Sequence, residues 1–192
     1  SECSFLEHIS FPSSLISIGK ESFTKCNSLT RINIPSSVTS IENGAFSYCD
    51  KLNEVVLSEN LTSISENMFQ YCINLKEVVI PSSITIIGPK TFKNCTSLAT
   101  IEIPSSVTEI GDQAFENCTS LLQILIPTSV NSIGKSSFSD CTQLNKITFE
   151  DPSNLFMVGE YAFSNCSSLT QVDLPDSIVS FDAFIFFSCT SL

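Results

Sequence analysis

The sequence predicts a repeat solenoid, one supersecondary unit of 23 residues stacked on itself about eight times. Three observations predict it. Nine cysteines recur at a fixed step, each followed three residues later by leucine: Cys3/Leu6, Cys26/Leu29, Cys49/Leu52, Cys72/Leu75, Cys95/Leu98, Cys118/Leu121, Cys141/Leu144, Cys166/Leu169 and Cys189/Leu192. The step is 23 residues everywhere except between Cys141 and Cys166, where it is 25. A phenylalanine column keeps the same beat through Phe23, Phe46, Phe69, Phe92, Phe115, Phe138, Phe163 and Phe186. Between these columns runs an alternating apolar pattern that suits short strands.

The unit is read in order from its leucine. Leu98-x-x-Ile101-x-Ile103 alternates β-branched residues and reads as a short strand. Pro104-Ser105-Ser106 ends it, because proline cannot donate to a strand ladder. Val107-x-x-Ile110 is a second extended piece, and Gly111 is expected to supply a backbone angle closed to other residues. Ala114-Phe115-x-x-Cys118 has the spacing of one short helical turn, an expectation that Gly88-Pro89 strengthens in the preceding unit. Departures are few. Ser58 stands for the proline, Glu42, Ser65 and Asp182 stand for the glycine, and Glu150-Asp151 are the two inserted residues.

Residues 1–192 read as one domain, since the repeat runs throughout and no linker divides it. The chain begins and ends inside a repeat, which reads as a piece of a longer array. Hydrophobic residues make up 42 % and charged ones 15 %, with a net charge of −11. So acidic a surface repels phosphate backbones and anionic headgroups, so nucleic acid and bare membrane are poor partners. No apolar run is long enough to span a bilayer.

Leu-x-x-Ile-x-Ile-Pro-x-x-Val-x-x-Ile-Gly-x-x-Ala-Phe-x-x-Cys resembles the BspA-like class of leucine-rich repeats along the whole chain. The resemblance implies a right-handed leucine-rich repeat solenoid with short parallel β-strands on one face. It also implies a non-enzymatic binding role, often at the surface of bacteria or parasitic protists. The family has no catalytic residues to carry over.

Few residues invite a chemical reading. The cysteines, stacked with parallel side chains, are expected to be free buried thiols, because disulfide geometry needs Cβ atoms closer than strand spacing allows. Their line is also no metal tetrahedron. A single histidine, His8, leaves no basis for a Ser-His-Asp or Cys-His arrangement. No cofactor is expected. Four sequons begin at Asn60, Asn94, Asn117 and Asn165. They are glycan sites if the chain is secreted by a eukaryote, or else residues that hydrogen-bond the turn.

The outward positions of the main strand follow each leucine by two and by four residues. They vary from unit to unit while the inward positions do not, as in a shared scaffold with an individual recognition face. Arg31, Glu54, Val56, Glu77, Val79, Glu102 and Leu125 are the candidate ligand-binding residues. Apolar Val56, Val79 and Leu125 among carboxylates mark a contact for a protein, or a glycan, of basic character. With the setting that the resemblance implies, the expected protein is a cell-surface or secreted adhesive module. The alternative is an intracellular scaffold on the same solenoid. Open ends would also allow end-to-end self-association.

Overall fold

The computed structural model describes residues 3–192. In chain order its strands are β1 (Ser17–Ile18), β2 (Arg31–Asn33), β3 (Ser40–Ile41), β4 (Glu54–Val56), β5 (Ser63–Ile64), β6 (Glu77–Val79), β7 (Ile86–Ile87), β8 (Glu109–Ile110), β9 (Gln123–Ile126), β10 (Ser132–Ile133), β11 (Lys146–Phe149), β12 (Met157–Val158) and β13 (Ser180–Phe181). They wind into a parallel β-solenoid of about seven turns. Residues of like position stack in register, Arg31 beside Glu54, Glu54 beside Glu77, and Ser132 beside Glu109.

Two rows of strands form two faces. The longer strands β2, β4, β6, β9 and β11 make the main face. Their alternation decides which side chains go inward: in β2, Ile32 is buried between exposed Arg31 and Asn33. The two-residue strands make the second face, and there too the second residue of each pair points in, except at the exposed β13. Leucine, isoleucine and valine from both rows meet the cysteine and phenylalanine columns in one core that runs the length of the coil.

The third side departs from expectation, for the Ala-Phe-x-x-Cys segment forms no helical turn. Its residues alternate between two kinds of bond: Met68, Gln70 and Cys72 close tight turns onto Ser65, Asn67 and Phe69 at 3.3, 3.2 and 3.1 Å, and the residues between them bond to the next turn of the solenoid. Asn67, Phe69 and Tyr71 donate their N–H groups to the carbonyls of Pro89, Thr91 and Lys93 at 3.0, 2.9 and 2.8 Å. Left-handed residues such as Asn67 (φ 57°) and Tyr71 (φ 62°) turn alternate N–H groups along the coil axis, which an α-helix cannot do. Every second N–H thereby joins a ladder between units, and the others stay in turns within their own unit.

The glycine slot is also corrected. Gly88 and Gly111 do not have a positive φ; Gly44, two residues further along its own unit, does, at 66°. Gly88 is needed for closeness: a Cβ there would lie 2.5 Å from the carbonyl oxygen of Ile64 in the turn below.

Seven stacked pairs join Phe23 to Phe186, with centroids 5.0–6.0 Å apart and planes tilted by 6–16°. The cysteines are more than small hydrophobes. Each thiol from Cys49 to Cys189 donates to the carbonyl of the phenylalanine one turn earlier, Cys118 to Phe92 at 3.2 Å and Cys141 to Phe115 at 3.2 Å. Burial, and then the neighbouring Cys49, pushes the Cys26 thiol up to about 12, and burial holds Cys118 well above the usual thiol range. The thiolate is the nucleophile, so these groups are chemically silent. Alkylation of the native protein followed by mass spectrometry should therefore label exposed Cys3 and half-buried Cys189, sparing Cys26, Cys49, Cys72, Cys95, Cys118, Cys141 and Cys166. In denaturant all nine should react. Rapid native labelling of Cys118 would contradict the inward column.

The insertion costs the stack little. Glu150 and Asp151 lie between β11 and β12, and the register resumes with Ser132 beside Met157. A larger interruption lies elsewhere. The unit that spells the motif most fully has no main strand: among the described residues, Thr100, Ile101, Glu102 and Ile103 take part in no backbone hydrogen bond. The main row is therefore split into β2–β4–β6 and β9–β11. Gln171–Asp173 likewise form no strand beyond β11.

Candidate functional site

The main face is the surface that carries the candidate residues. Its strands hold each outward side chain in a column, and the columns bring the predicted residues together. Arg31, Glu54 and Glu77 lie side by side across β2, β4 and β6, as do Asn33, Val56 and Val79. Arg31 Nη2 donates to Glu54 Oε1 at 2.6 Å, so this acid is already partnered. Such an exposed pair contributes about 0–1 kcal/mol to stability. The carboxylates of Glu77 and Glu102 have no ionic or hydrogen-bonding partner among the described residues.

The apolar candidates differ in accessibility. Val79 is 56 % exposed and Leu125 46 % exposed, while Val56 is half-buried. Leu125 pairs with Thr148 across β9 and β11. Glu102 lies in the segment between β6 and β9 that belongs to neither group of strands. Two clefts flank that segment. One, of about 620 Å³, is bordered by Glu77, Val79, Ser82, Thr100 and Glu102. The other, of about 580 Å³, is bordered by Thr100, Glu102, Gln123, Leu125 and Glu150.

The sequons lie away from this face. Asn94, Asn117 and Asn165 precede their cysteines with φ of 63°, 60° and 57°. Asparagine tolerates that left-handed backbone better than most side chains. Asn117 Nδ2 donates to Asn94 Oδ1 at 2.6 Å, and Asn165 Nδ2 to Asp140 Oδ1 at 2.9 Å. The hydroxyls of Thr96 and Ser167 reach carbonyls of the preceding turn, Ile73 and Thr142. Asn60 is exposed, and its Nδ2 donates to Ser36 O at 2.7 Å. His8 is exposed at the N-terminal end.

A second apolar surface escaped the sequence reading. Phe156, Met157 and Val179 are exposed on the second face near the C-terminal end. The signal was available, because Phe156 and Val179 occupy a column that most earlier units fill with polar residues, Thr39, Thr62, Thr85, Thr108 and Asn131, Ile16 being the exception. At the end itself Phe184 and Phe187 are also exposed, Phe184 stacking on Tyr161 at 5.2 Å.

Known proteins supply an independent view of this architecture. The family profile of the BspA type Leucine rich repeat region matches residues 1–98 and 62–192, in six copies. Comparison with curated proteins finds no match. Among solved structures, the chain is similar to a leucine-rich repeat protein of T. pallidum, with 32 % identity and a TM-score of 0.74, over 81 % of this chain and 72 % of that one. It is also similar to a leucine-rich repeat protein of Bacteroides ovatus, with 24 % identity and a TM-score of 0.54, over 100 % of this chain and 66 % of the other. The pneumococcal vaccine antigen PcpA aligns at 18 % identity with a TM-score of 0.53, over 92 % of this chain and 58 % of its own. The last two likenesses speak to the fold alone.

Proposed function

The chain belongs to the BspA-type leucine-rich repeat family, and from that membership and its open main face we propose that it is a non-enzymatic binding module for a protein ligand of basic character. One observation carries the reading: Val79 on β6 and Leu125 on β9 stand exposed on either side of the break in the strand row, beside the unpartnered carboxylates of Glu77 and Glu102. Exposed apolar area rimmed by charge stabilises a contact by desolvation at its centre, and the rim selects the partner. Arg31, Glu54 and Val56 extend the same surface across β2 and β4. A glycan ligand would use the same polar row without needing the apolar residues.

The test is a binding panel of basic and acidic proteins, measured by biolayer interferometry. The double variant Glu77→Lys/Glu102→Lys should weaken the basic ligand about tenfold or more, with a smaller effect at high salt. A ligand that binds the reversed surface as well as the original refutes the site. Val79→Ser/Leu125→Ser should weaken a protein ligand and leave a glycan unaffected.

The setting we propose is the cell surface or the secreted fraction, in keeping with what the family resemblance implies. Of the sequons, Asn60 is the one whose side chain lies in the open. End-to-end stacking of solenoids through the exposed aromatic ends is a secondary mode of contact. Sedimentation that gives one mass at every concentration removes it.

A further inference from the structure

Resting on the binding reading above, we propose that the break in the main face at Thr100–Ile103 is where an extended, arginine- or lysine-bearing peptide segment of the partner docks, through its main chain as well as its side chains.

The argument begins with the backbone. Every non-proline residue carries one donor and one acceptor, and strands satisfy them across a ladder. Thr100–Ile103 lie between β6 and β9 with no backbone hydrogen bond to either. β6 and β9 therefore each leave one edge of their ladder open toward this segment. Elsewhere in the same unit the stack is intact: β8 pairs with β7 and β10, and Phe115 stacks at 5.3 Å on Phe92 and 5.0 Å on Phe138. The gap is thus local to the main face.

Open main-chain groups beside a groove are a template for an added extended chain. The two clefts, of about 620 and 580 Å³, provide that groove on either side of the segment. Their chemistry selects the occupant. Glu77 and Glu102 border the first cleft, and Glu102 and Glu150 the second. Val79 and Leu125 border them as apolar walls. An extended chain presents every second side chain to one face, so basic and aliphatic residues spaced two apart (i and i+2) meet both features. Arginine suits best, since its five donors can bond a carboxylate and free carbonyls together.

The probe is a synthetic peptide in which arginine and valine take turns at every second position with serine between them (Arg-Ser-Val-Ser-Arg), titrated against the whole chain. Two N-methylated versions, each blocking one alternate set of backbone N–H groups, keep every side chain. One of the two should bind about tenfold more weakly, as expected for losing one or two hydrogen bonds, while the other matches the parent. Hydrogen exchange at the amides of residues 100–103 should be fast in the free protein and slowed by the peptide, and Glu102→Gln should weaken all three peptides. If both N-methylated peptides bind like the parent, or protection appears away from residues 100–103, main-chain docking is overturned while acidic recognition stands. If neither the peptide nor any basic protein binds, both readings fall.

Discussion

Replacing Phe115 by alanine should cost about 3–5 kcal/mol in urea denaturation, the range for truncating a fully buried aromatic. Phe115 has no solvent exposure and stacks on Phe92 at 5.3 Å and Phe138 at 5.0 Å. Offset aromatic contacts add about 0.5–1.5 kcal/mol each beyond burial, and this ring makes two. The backbone around it is held from both turns, Phe115 N donating to Ser137 O at 2.7 Å and Phe92 N to Ala114 O at 2.8 Å. The walls therefore cannot collapse far into the space left behind. Because each turn touches only its neighbours, a defect at mid-column also weakens the coupling between the two halves. The transition should then broaden or split into two steps, visible by circular dichroism. Phe184→Ala is the control, since that ring is 56 % exposed, and its shift should be under about 1 kcal/mol. Equal shifts for the two variants would mean that the phenylalanine column is not the spine of the coil.

The period made much of this legible. In a parallel stack, a residue and its equivalent one repeat later are neighbours, so Cys, Leu and Phe at a constant step had to form columns, and constant apolar columns had to face inward. The outward row was legible for the same reason, and Arg31, Glu77, Val79, Glu102 and Leu125 are all exposed. Side-chain pattern says which way a residue points. It does not say where backbone N–H groups go. That is why the Ala-Phe-x-x-Cys spacing reads as one short helical turn, although Asn67, Phe69 and Tyr71 donate to the next turn of the coil. It is also why nothing in Leu98-x-x-Ile101-x-Ile103, the motif at its most regular, foretold the unpaired strand. The Arg31–Glu54 pair is legible too, because the two residues are one repeat apart and opposite in charge.

The second large effect belongs to a glycine. Gly88→Ala should destabilise by about 1–3 kcal/mol, through overpacking rather than through backbone angle. Its added Cβ would meet Ile64 O at 2.5 Å, Ser65 C at 3.0 Å and Glu66 N at 3.1 Å, all backbone atoms of the turn below. Gly88 N already donates to that same Ile64 O at 2.8 Å, so the two strands cannot part without losing a bond of the second face. The unit before shows what a side chain in this slot meets: Ser65 occupies it, and its hydroxyl is buried with no hydrogen-bond partner among the described residues. Gly44 is the opposite case. Its φ is 66°, but a Cβ there would meet only the flexible Glu21 Cγ at 3.2 Å and Ser47 Oγ at 3.6 Å. The same position one turn later is Asn67, with φ of 57°. Gly44→Asn should therefore cost under about 1 kcal/mol, the left-handed penalty being small for asparagine. Thermal unfolding of the pair decides between two reasons for a small residue at a turn. If Gly88→Ala is harmless and Gly44→Asn severe, dihedral freedom rather than the closeness of stacked turns sets the pitch of this coil.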